Sequence, residues 1–472
     1  MGKYSIAVVG QVWDGRGKVP HGGALVTFEL TRRLSKYFDC EMVFETSDKN
    51  RIGEVMVTDA GFTKRFIPRP NGLWRLDRNF IQSYDLIHIW GPAPIFAYRA
   101  YVKDVFVPHC YTLHSAASMI NWIGIASAFY VPEYDMISLG SQSLADALNK
   151  FWKVHVNVIP YGVNVDVFKP MDKSECREYF GIPKDSFVFG YIGRPAKIDF
   201  LLAYETLKKV KEISGRNDVI LLVAGGKRRI KPVRVTDSFL YLGYLDKMEV
   251  PIMLNSCDVF YNPVASVQEG FGLTVVEAMA CGLPVVTTAW NGYRETVSKD
   301  VGFLARTCWK DGDVWINWDD LISACLRLLE DDELREECSK RARERVEKKY
   351  RWENCVEKYR NRFFDLIRKG HPDRLPYEDA PKKIRIYING KIHICSLEEA
   401  FKKIYEYKIS FQKLYSNFVS EGRMSSGVWR RFICKDNILN LPKYGSCMKD
   451  TLLKEEEKLQ RYFPRLVNAL KG

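Results

Sequence analysis

The sequence of 472 residues lacks the patterns that indicate a metal centre, a disulfide framework or a membrane anchor. Its 12 cysteines include no C-x-x-C pair and have no neighbouring histidine cluster, so zinc sites and disulfides are unsupported and reduced thiols are expected. No apolar stretch reaches about 18 residues, and the first strand is not laid out as a signal peptide. We therefore expect a cytoplasmic protein, held at most peripherally at the inner face of a membrane.

The chain is long enough for two or three domains, and its formal charge of +13 predicts an anionic partner. Residues 371–472 contribute much of this charge, with 20 Lys and Arg against 12 Asp and Glu. A nucleotide, a nucleic acid or an anionic membrane surface would each suit this balance.

One stretch, VQEGFGLTVVEAMACGLPVV from Val267 to Val286, joins a glycine-broken loop to a predicted helix that begins at about Leu273. Unpaired N–H groups at a helix start favour a phosphate, and glycines let the backbone approach it closely. Glu269 and Glu277 are too far apart to share one small target, so one would bind sugar hydroxyls and the other a ribose. The alternative is a buried turn before a core helix.

This stretch resembles the donor-site signature of the GT4 glycosyltransferases, a retaining family with the GT-B fold. The resemblance implies an α/β protein with two Rossmann-like, doubly wound domains facing a cleft. It implies that Glu269 contacts the donor sugar and Glu277 the ribose, and it gives the remaining donor contacts to Gly270, Phe271, Gly272, Leu273 and Thr274. It also implies that no metal or cofactor is required, and the sequence has no D-x-D motif with a supporting ligand set.

Two further candidates follow strands of the N-terminal half. Gly22 and Gly23 lie between the strand Tyr4–Gly10 and a helical pattern, and their spacing is not the dinucleotide fingerprint. The GT4 resemblance implies that they face the donor phosphates, with a tight βα turn as the alternative. His114 lies at the end of the candidate strand Cys110–Leu113 in a Thr-x-His pattern, and the same resemblance implies that its imidazole reaches the donor sugar. A structural histidine is the alternative, and His88 and His109 are weaker candidates.

In the C-terminal half, Gly193-Arg194-Pro195-Ala196-Lys197 follows the predicted strand Phe187–Ile192. Cations directly after a strand can bind a diphosphate and stabilise the charge that builds on it, although a solvated loop is the alternative. The GT4 resemblance supports this role for Arg194, whereas the shortened spacing puts it in doubt for Lys197. It also implies that backbone groups around Tyr244 contact the base. The basic segment Gly226–Pro232 is predicted to be a solvated loop, or a contact for an acidic acceptor or nucleic acid.

The predicted domains are an acceptor-side domain (1–170), a nucleotide-sugar-binding domain (171–370) and a basic appendage of uncertain role (371–472). The pattern predicts one long helix from Asp332 to Ile367 at the end of the second domain. The appendage contains a candidate hairpin at Ile384–Ile394 and candidate helices from Ser396 and near Ser410 to Ser420. It faintly resembles small modules of phage and intron-encoded DNA-modifying enzymes.

These features predict a retaining, metal-independent glycosyltransferase without a covalent intermediate. It would move a sugar from a UDP- or GDP-linked donor to a hydroxyl of a glycan or lipid-linked acceptor, with Glu269, His114, Arg194 and Lys197 at the reacting centre. The first alternative is a glycosyltransferase of hydroxylated bases in DNA that binds nucleic acid through residues 371–472. These residues are also a candidate contact for an anionic membrane surface, whichever acceptor is used. The second is a non-catalytic protein that binds a nucleotide sugar or nucleic acid.

Overall fold

A computed structural model describes residues 2–10, 12–13, 22–46, 48–68, 81–91, 107–115, 133–151, 155–194, 197–226, 229–266, 269–310, 313–370, 384–388, 391–395 and 428–432. The chain folds into two compact units. The first unit contains residues 1–162, 268–271 and 352–415, and the second contains residues 163–267, 272–351 and 416–472.

The first unit is built on an eight-stranded sheet. Its elements are β1 (Ser5–Gly10), α1 (Gly22–Leu34), β2 (Asp39–Thr46), β3 (Val55–Val57), β4 (Thr63–Pro68), β5 (Leu86–Trp90), β6 (His109–Leu113), β7 (Asp135–Leu139), α2 (Gln142–Phe151) and β8 (Val156–Val158). The strand order is β3-β4-β2-β1-β5-β6-β7-β8, and all pairs are parallel except β3 with β4. The order reverses between β1 and β5, and ligands of open α/β sheets bind at the carboxyl ends of the strands beside such a reversal.

The second unit has a seven-stranded sheet of the same kind. Its elements are α3 (Lys173–Phe180), β9 (Phe187–Ile192), α4 (Phe200–Ser214), β10 (Val219–Ala224), β11 (Arg229–Thr236), β12 (Phe239–Gly243), α5 (Glu249–Asn255), β13 (Val259–Asn262), α6 (Leu273–Ala280), β14 (Val285–Thr288), α7 (Tyr293–Thr296) and β15 (Gly302–Ala305). The order is β11-β12-β10-β9-β13-β14-β15, with β11 antiparallel at the edge. The two parallel sheets confirm the predicted pair of Rossmann-like folds. Strands such as β10 are buried along their whole length because both faces of these sheets are covered.

The predicted loop Gly226–Pro232 is partly wrong, because β11 begins at Arg229 and contains Pro232. A proline cannot donate to a strand neighbour, and it is tolerated here because β11 lies at the sheet edge. The pairing with β12 is irregular between Arg229 and Val233, on either side of the proline.

After β15 the chain forms β16 (Thr307–Lys310), β17 (Asp313–Asn317), α8 (Trp318–Glu330), α9 (Asp332–Lys349) and α10 (Trp352–Lys369). The predicted single helix over Asp332–Ile367 is therefore wrong, because it is divided between α9 and α10. At the break, the backbone N–H of Val163 donates to the carbonyl of Tyr350 at 2.8 Å. Gly162 allows the close crossing, since a Cβ there would lie 2.4 Å from the Cα of Trp352.

In the C-terminal segment, β18 (Ile384–Ile388) and β19 (Lys391–Cys395) confirm the predicted hairpin, and β20 (Trp429–Phe432) pairs antiparallel with β17. The N–H of Trp318 donates to the carbonyl of Val428 at 2.7 Å, which ties this strand to the second unit. The predicted helices between residues 396 and 420 lie outside the described residues. Contacts of residues 371–472 with nucleic acid or a membrane stay a prediction. None of the helices in the described part of the chain is long and apolar enough to cross a bilayer.

Candidate active site

His114 follows β6 in the first unit and is held by two aromatic side chains. Its ring stacks on the indole of Trp90, with centroids 4.9 Å apart and planes at 26°. Its Nδ1 lies 2.9 Å from the hydroxyl of Tyr161. Trp90 is fully buried at the end of β5, the strand beside the reversal of strand order. The predicted His114 is thus fixed at the carboxyl edge of the first sheet.

The loop of the glycine motif lies against this histidine. Ser141, which also caps α2, donates its hydroxyl to the carbonyl of Gly270 at 2.7 Å. The ring of Phe271 meets that of Tyr161 edge-on, with centroids 5.3 Å apart. A Cβ on Gly270 would lie only 1.9 Å from the carbonyl oxygen of His114, so this position requires glycine. The structure therefore brings Gly270, Phe271 and His114 together, and Glu269 precedes them with a half-buried side chain.

The two weaker histidine candidates have structural partners. His88 is buried and its Nε2 lies 2.8 Å from the hydroxyl of Thr112, which is 3.2 Å from the hydroxyl of Tyr359. Burial and the neighbouring His114 hold the pKa of His88 well below its usual range, so the ring of His88 is neutral. His109 is also buried, and its backbone N–H donates to the carboxylate of Asp135 at 3.0 Å.

Gly22 and Gly23 form the start of α1, as the sequence predicts. Gly22 is exposed, and a Cβ there would meet no atom within 4 Å. The carbonyl of Gly23 accepts a hydrogen bond from the hydroxyl of Thr27 at 2.9 Å. Their predicted role at the donor phosphates stays a prediction, and the residues 14–21 before them lie outside the described residues.

The predicted cations of the second unit follow β9 at its carboxyl end. The side chain of Arg194 is exposed, and its carbonyl accepts from the backbone N–H of Lys197 at 2.9 Å. The start of this turn is packed closely against Gly225, the residue that follows β10. A Cβ on Gly225 would lie 1.9 Å from the carbonyl oxygen of Gly193. Arg194 and the half-buried Lys197 are therefore held beside the end of the strand in one short turn.

The helical half of the motif starts at Gly272, whose φ of 90° is accessible mainly to glycine. No side chain caps α6, and its first turn carries no acidic residue, while Leu273 and Thr274 are half-buried. The start of α6 thus keeps the polarity that favours an anion.

Glu277 lies further along α6 and is buried, with 7% of its surface exposed. Burial raises the pKa of Glu277 to about 8, and the positive charge of Lys247 opposes this effect. The carboxyl group is therefore mostly protonated at neutral pH. Tyr244 follows β12 and is half-buried.

The predicted site residues divide between the two units. The first unit holds Gly22, Gly23, His114, Glu269, Gly270 and Phe271, and the second holds Gly193, Arg194, Lys197, Tyr244, Gly272, Leu273, Thr274 and Glu277. Sequence reasoning missed the aromatic partners of His114, because a contact across 47 residues leaves no local signal. Within the described residues, no three His, Cys, Asp or Glu side chains are grouped as they would be around a metal ion.

Comparisons with known proteins agree with this architecture. A profile described as Glycosyltransferase Family 4 matches residues 20–167, and one described as Glycosyl transferases group 1 matches residues 172–345. The chain is 26% identical to N-acetyl-alpha-D-glucosaminyl L-malate synthase of Bacillus anthracis, over 61% of this chain and 76% of that protein.

Two solved structures that align along their whole length show the same fold. Sucrose-phosphate synthase from Thermosynechococcus elongatus covers 78% of this chain and 100% of its own, at 20% identity and a TM-score of 0.59. The Anabaena protein HepE, solved with UDP and glucose, covers 77% of this chain and 100% of its own, at 15% identity and a TM-score of 0.58. These similarities confirm the predicted GT-B fold.

Proposed function

Since this chain belongs to the GT4 family of glycosyltransferases, we propose that it is a retaining, metal-independent enzyme that transfers a sugar from a UDP- or GDP-sugar. The acceptor would be a hydroxyl of a glycan or of a lipid-linked saccharide. One observation carries the proposal: the motif presents an uncapped helix start at Gly272, while its loop packs Gly270 against His114.

The second unit would bind the nucleotide diphosphate. The start of α6, which no side chain caps, favours phosphate oxygens. Arg194 and Lys197 would stabilise the charge that the diphosphate gains as the glycosidic bond breaks. Glu277 would accept hydrogen bonds from the ribose hydroxyls, and the backbone around Tyr244 would contact the base. The similarity to HepE, which was solved with UDP and glucose, supports a nucleotide of this kind.

The first unit would orient the sugar and the acceptor. A carboxylate accepts hydrogen bonds from hydroxyl groups, so Glu269 suits the transferred sugar, and His114 offers a ring nitrogen to the same ligand. The acceptor hydroxyl would attack from the face that the diphosphate leaves, without a covalent intermediate. Catalysis would then be electrostatic and positional.

A donor screen followed by one substitution tests the proposal. Thermal shift and mass spectrometry with UDP-, GDP- and ADP-sugars should identify a donor that the wild-type chain hydrolyses slowly without an acceptor. NMR of the product should show the anomeric configuration of the donor. Glu269→Ala should reduce turnover about a hundredfold, because one fixed contact to the reacting sugar is lost.

The matched control is Glu133→Ala, which removes an exposed carboxylate from the first unit and should leave turnover unchanged. Turnover of Glu269→Ala within a factor of two of the wild-type value would reject the assignment of this residue. Inverted product would reject retention. Loss of turnover on treatment with EDTA, restored by a divalent cation, would reject metal independence.

A further inference from the structure

We propose that Tyr161 is the positioning residue of His114, fixing its tautomer so that the imidazole presents a hydrogen-bond donor at Nε2. The inference rests on the proposed function, in which His114 contacts the transferred sugar. The inference depends on the distance of 2.9 Å between the hydroxyl of Tyr161 and Nδ1 of His114.

The hydroxyl of Tyr161 is suited to donate in this pair. Tyr161 is only 4% exposed, and burial raises the pKa of its hydroxyl well above the usual range, so the phenol keeps its proton. A neutral imidazole has one nitrogen that donates and one that accepts. If the phenol donates to Nδ1, the hydrogen of the imidazole resides on Nε2.

The geometry also prevents the imidazole from turning. The stack on Trp90 fixes the plane of the ring, and the hydrogen bond from Tyr161 fixes its rotation within that plane. Tyr161 is itself confined, because a Cβ on Gly140 would lie 3.0 Å from its Cε2 and Phe271 packs against its ring. The contact with Phe271 links the motif loop to the orientation of His114.

Nε2 of His114 is itself buried, so a hydroxyl-rich ligand would have to enter beside it to meet the fixed N–H group. Sugar oxygens accept hydrogen bonds, and the carboxylate of Glu269 can only accept them. A donor from His114 and an acceptor from Glu269 would together match the hydroxyls of one sugar. Loss of the tautomeric preference would weaken the interaction of His114 without removing the ring.

A double-mutant cycle on the full chain tests whether Tyr161 acts through His114. We expect Tyr161→Phe to lower turnover of the identified donor about tenfold, the usual size of one lost hydrogen bond. In the His114→Ala background, the same substitution should change turnover by less than a factor of two. Tyr84→Phe is the matched control, since it removes a hydroxyl bonded to Glu41 in the same unit and should leave turnover unchanged.

A spectroscopic measurement separates this inference from the proposed function. In the wild-type chain without ligand, the ¹⁵N spectrum of His114 should show hydrogen on Nε2 and a hydrogen-bonded Nδ1, and Tyr161→Phe should shift the Nδ1 resonance. An unshifted resonance, or an equal loss of turnover in both backgrounds, would overturn the role of Tyr161. If the wild-type chain binds no nucleotide sugar but Tyr161→Phe still shifts the Nδ1 resonance, the proposed function is rejected.

Discussion

The carboxyl edges of the two sheets differ in the kind of polar group that they present. At the first edge, His114 lies beside the neutral hydroxyl of Tyr161, and the hydroxyl of Ser141 donates to the carbonyl of the neighbouring Gly270. The second edge presents the cations Arg194 and Lys197. Neutral groups in fixed positions suit the hydroxyls of a sugar, whereas a diphosphate needs positive charge.

Two of the predicted site residues, one in each unit, are glutamates. Glu269 brings a carboxylate to the first unit, where it would accept from sugar hydroxyls. Glu277 in the second unit is mostly protonated at neutral pH, so it adds little negative charge to that unit. Substitutions should therefore act through geometry at the first edge and through charge at the second.

The largest effect is expected for Arg194→Ala, which removes a cation from the second edge. Turnover should fall a hundredfold to a thousandfold, equivalent to about 3–4 kcal/mol, because the charge on the leaving diphosphate loses a stabilising partner. Binding of the free nucleotide diphosphate should weaken and become less dependent on salt. Steady-state kinetics and calorimetric titration of the nucleotide at two salt concentrations measure both effects.

Arg234→Ala is the control for Arg194→Ala, because Arg234 is an exposed arginine of β11 in the same unit. It should leave turnover and its salt dependence unchanged. If Arg194→Ala kept wild-type turnover, the charged edge would not act on the leaving group, and the comparison between the two edges would fail.

The second effect concerns Glu277 and the stability of the second unit. Its pKa of about 8 lies above the ordinary value of 4.5, so the folded state favours the protonated form. The stabilisation is complete below about pH 4.5 and is lost as the pH rises to about 8. As the pH rises from 5.5 to 7.5, loss of the proton from Glu277 should lower the free energy of unfolding by about 2–3 kcal/mol.

Glu277→Gln should remove this part of the pH dependence, because glutamine does not titrate. Urea unfolding of both proteins at pH 5.5, 6.5 and 7.5 measures it, and Glu295→Gln, a half-buried carboxyl of the same unit, serves as the control. Parallel profiles for Glu277→Gln and the wild type would show that Glu277 is ionised in the folded protein. The second edge would then carry less net positive charge than we infer.

Much of the fold was accessible from the sequence because its signals are local. The apolar run of β9 has the predicted bounds, and α6 begins at Leu273 as expected. The wrong predictions arose where a contact with a distant part of the chain determines the local secondary structure. The break between α9 and α10 depends on Val163, and the strand character of Arg229–Pro232 depends on pairing with β12.

The site residues that belong to recognisable sequence motifs were predictable. Gly270 and His114 each follow a recognisable pattern, but their contact depends on how a loop and a strand that are far apart in sequence meet in one unit. The protonation of Glu277 and the hydrogen bond of Tyr161 arise from burial and packing, which have no local sequence signal.

The smallest effect is expected at the first edge for Gly270→Ala, which changes geometry without changing charge. The added Cβ would lie 1.9 Å from the carbonyl oxygen of His114 and 2.9 Å from Cδ1 of Leu144, so the loop must shift. We expect turnover to fall about tenfold and the free energy of unfolding to fall by about 1–2 kcal/mol, while nucleotide affinity and its salt dependence stay at wild-type values.

Gly2→Ala, where a Cβ meets no atom within 4 Å, controls for the added methyl group. Kinetics, urea unfolding and nucleotide titration on the two variants separate the effects. A large loss of nucleotide affinity in Gly270→Ala would mean that the loop itself binds the diphosphate. The division into a neutral, geometric edge and a charged edge would then no longer hold, because one loop of the first unit would serve both parts of the donor.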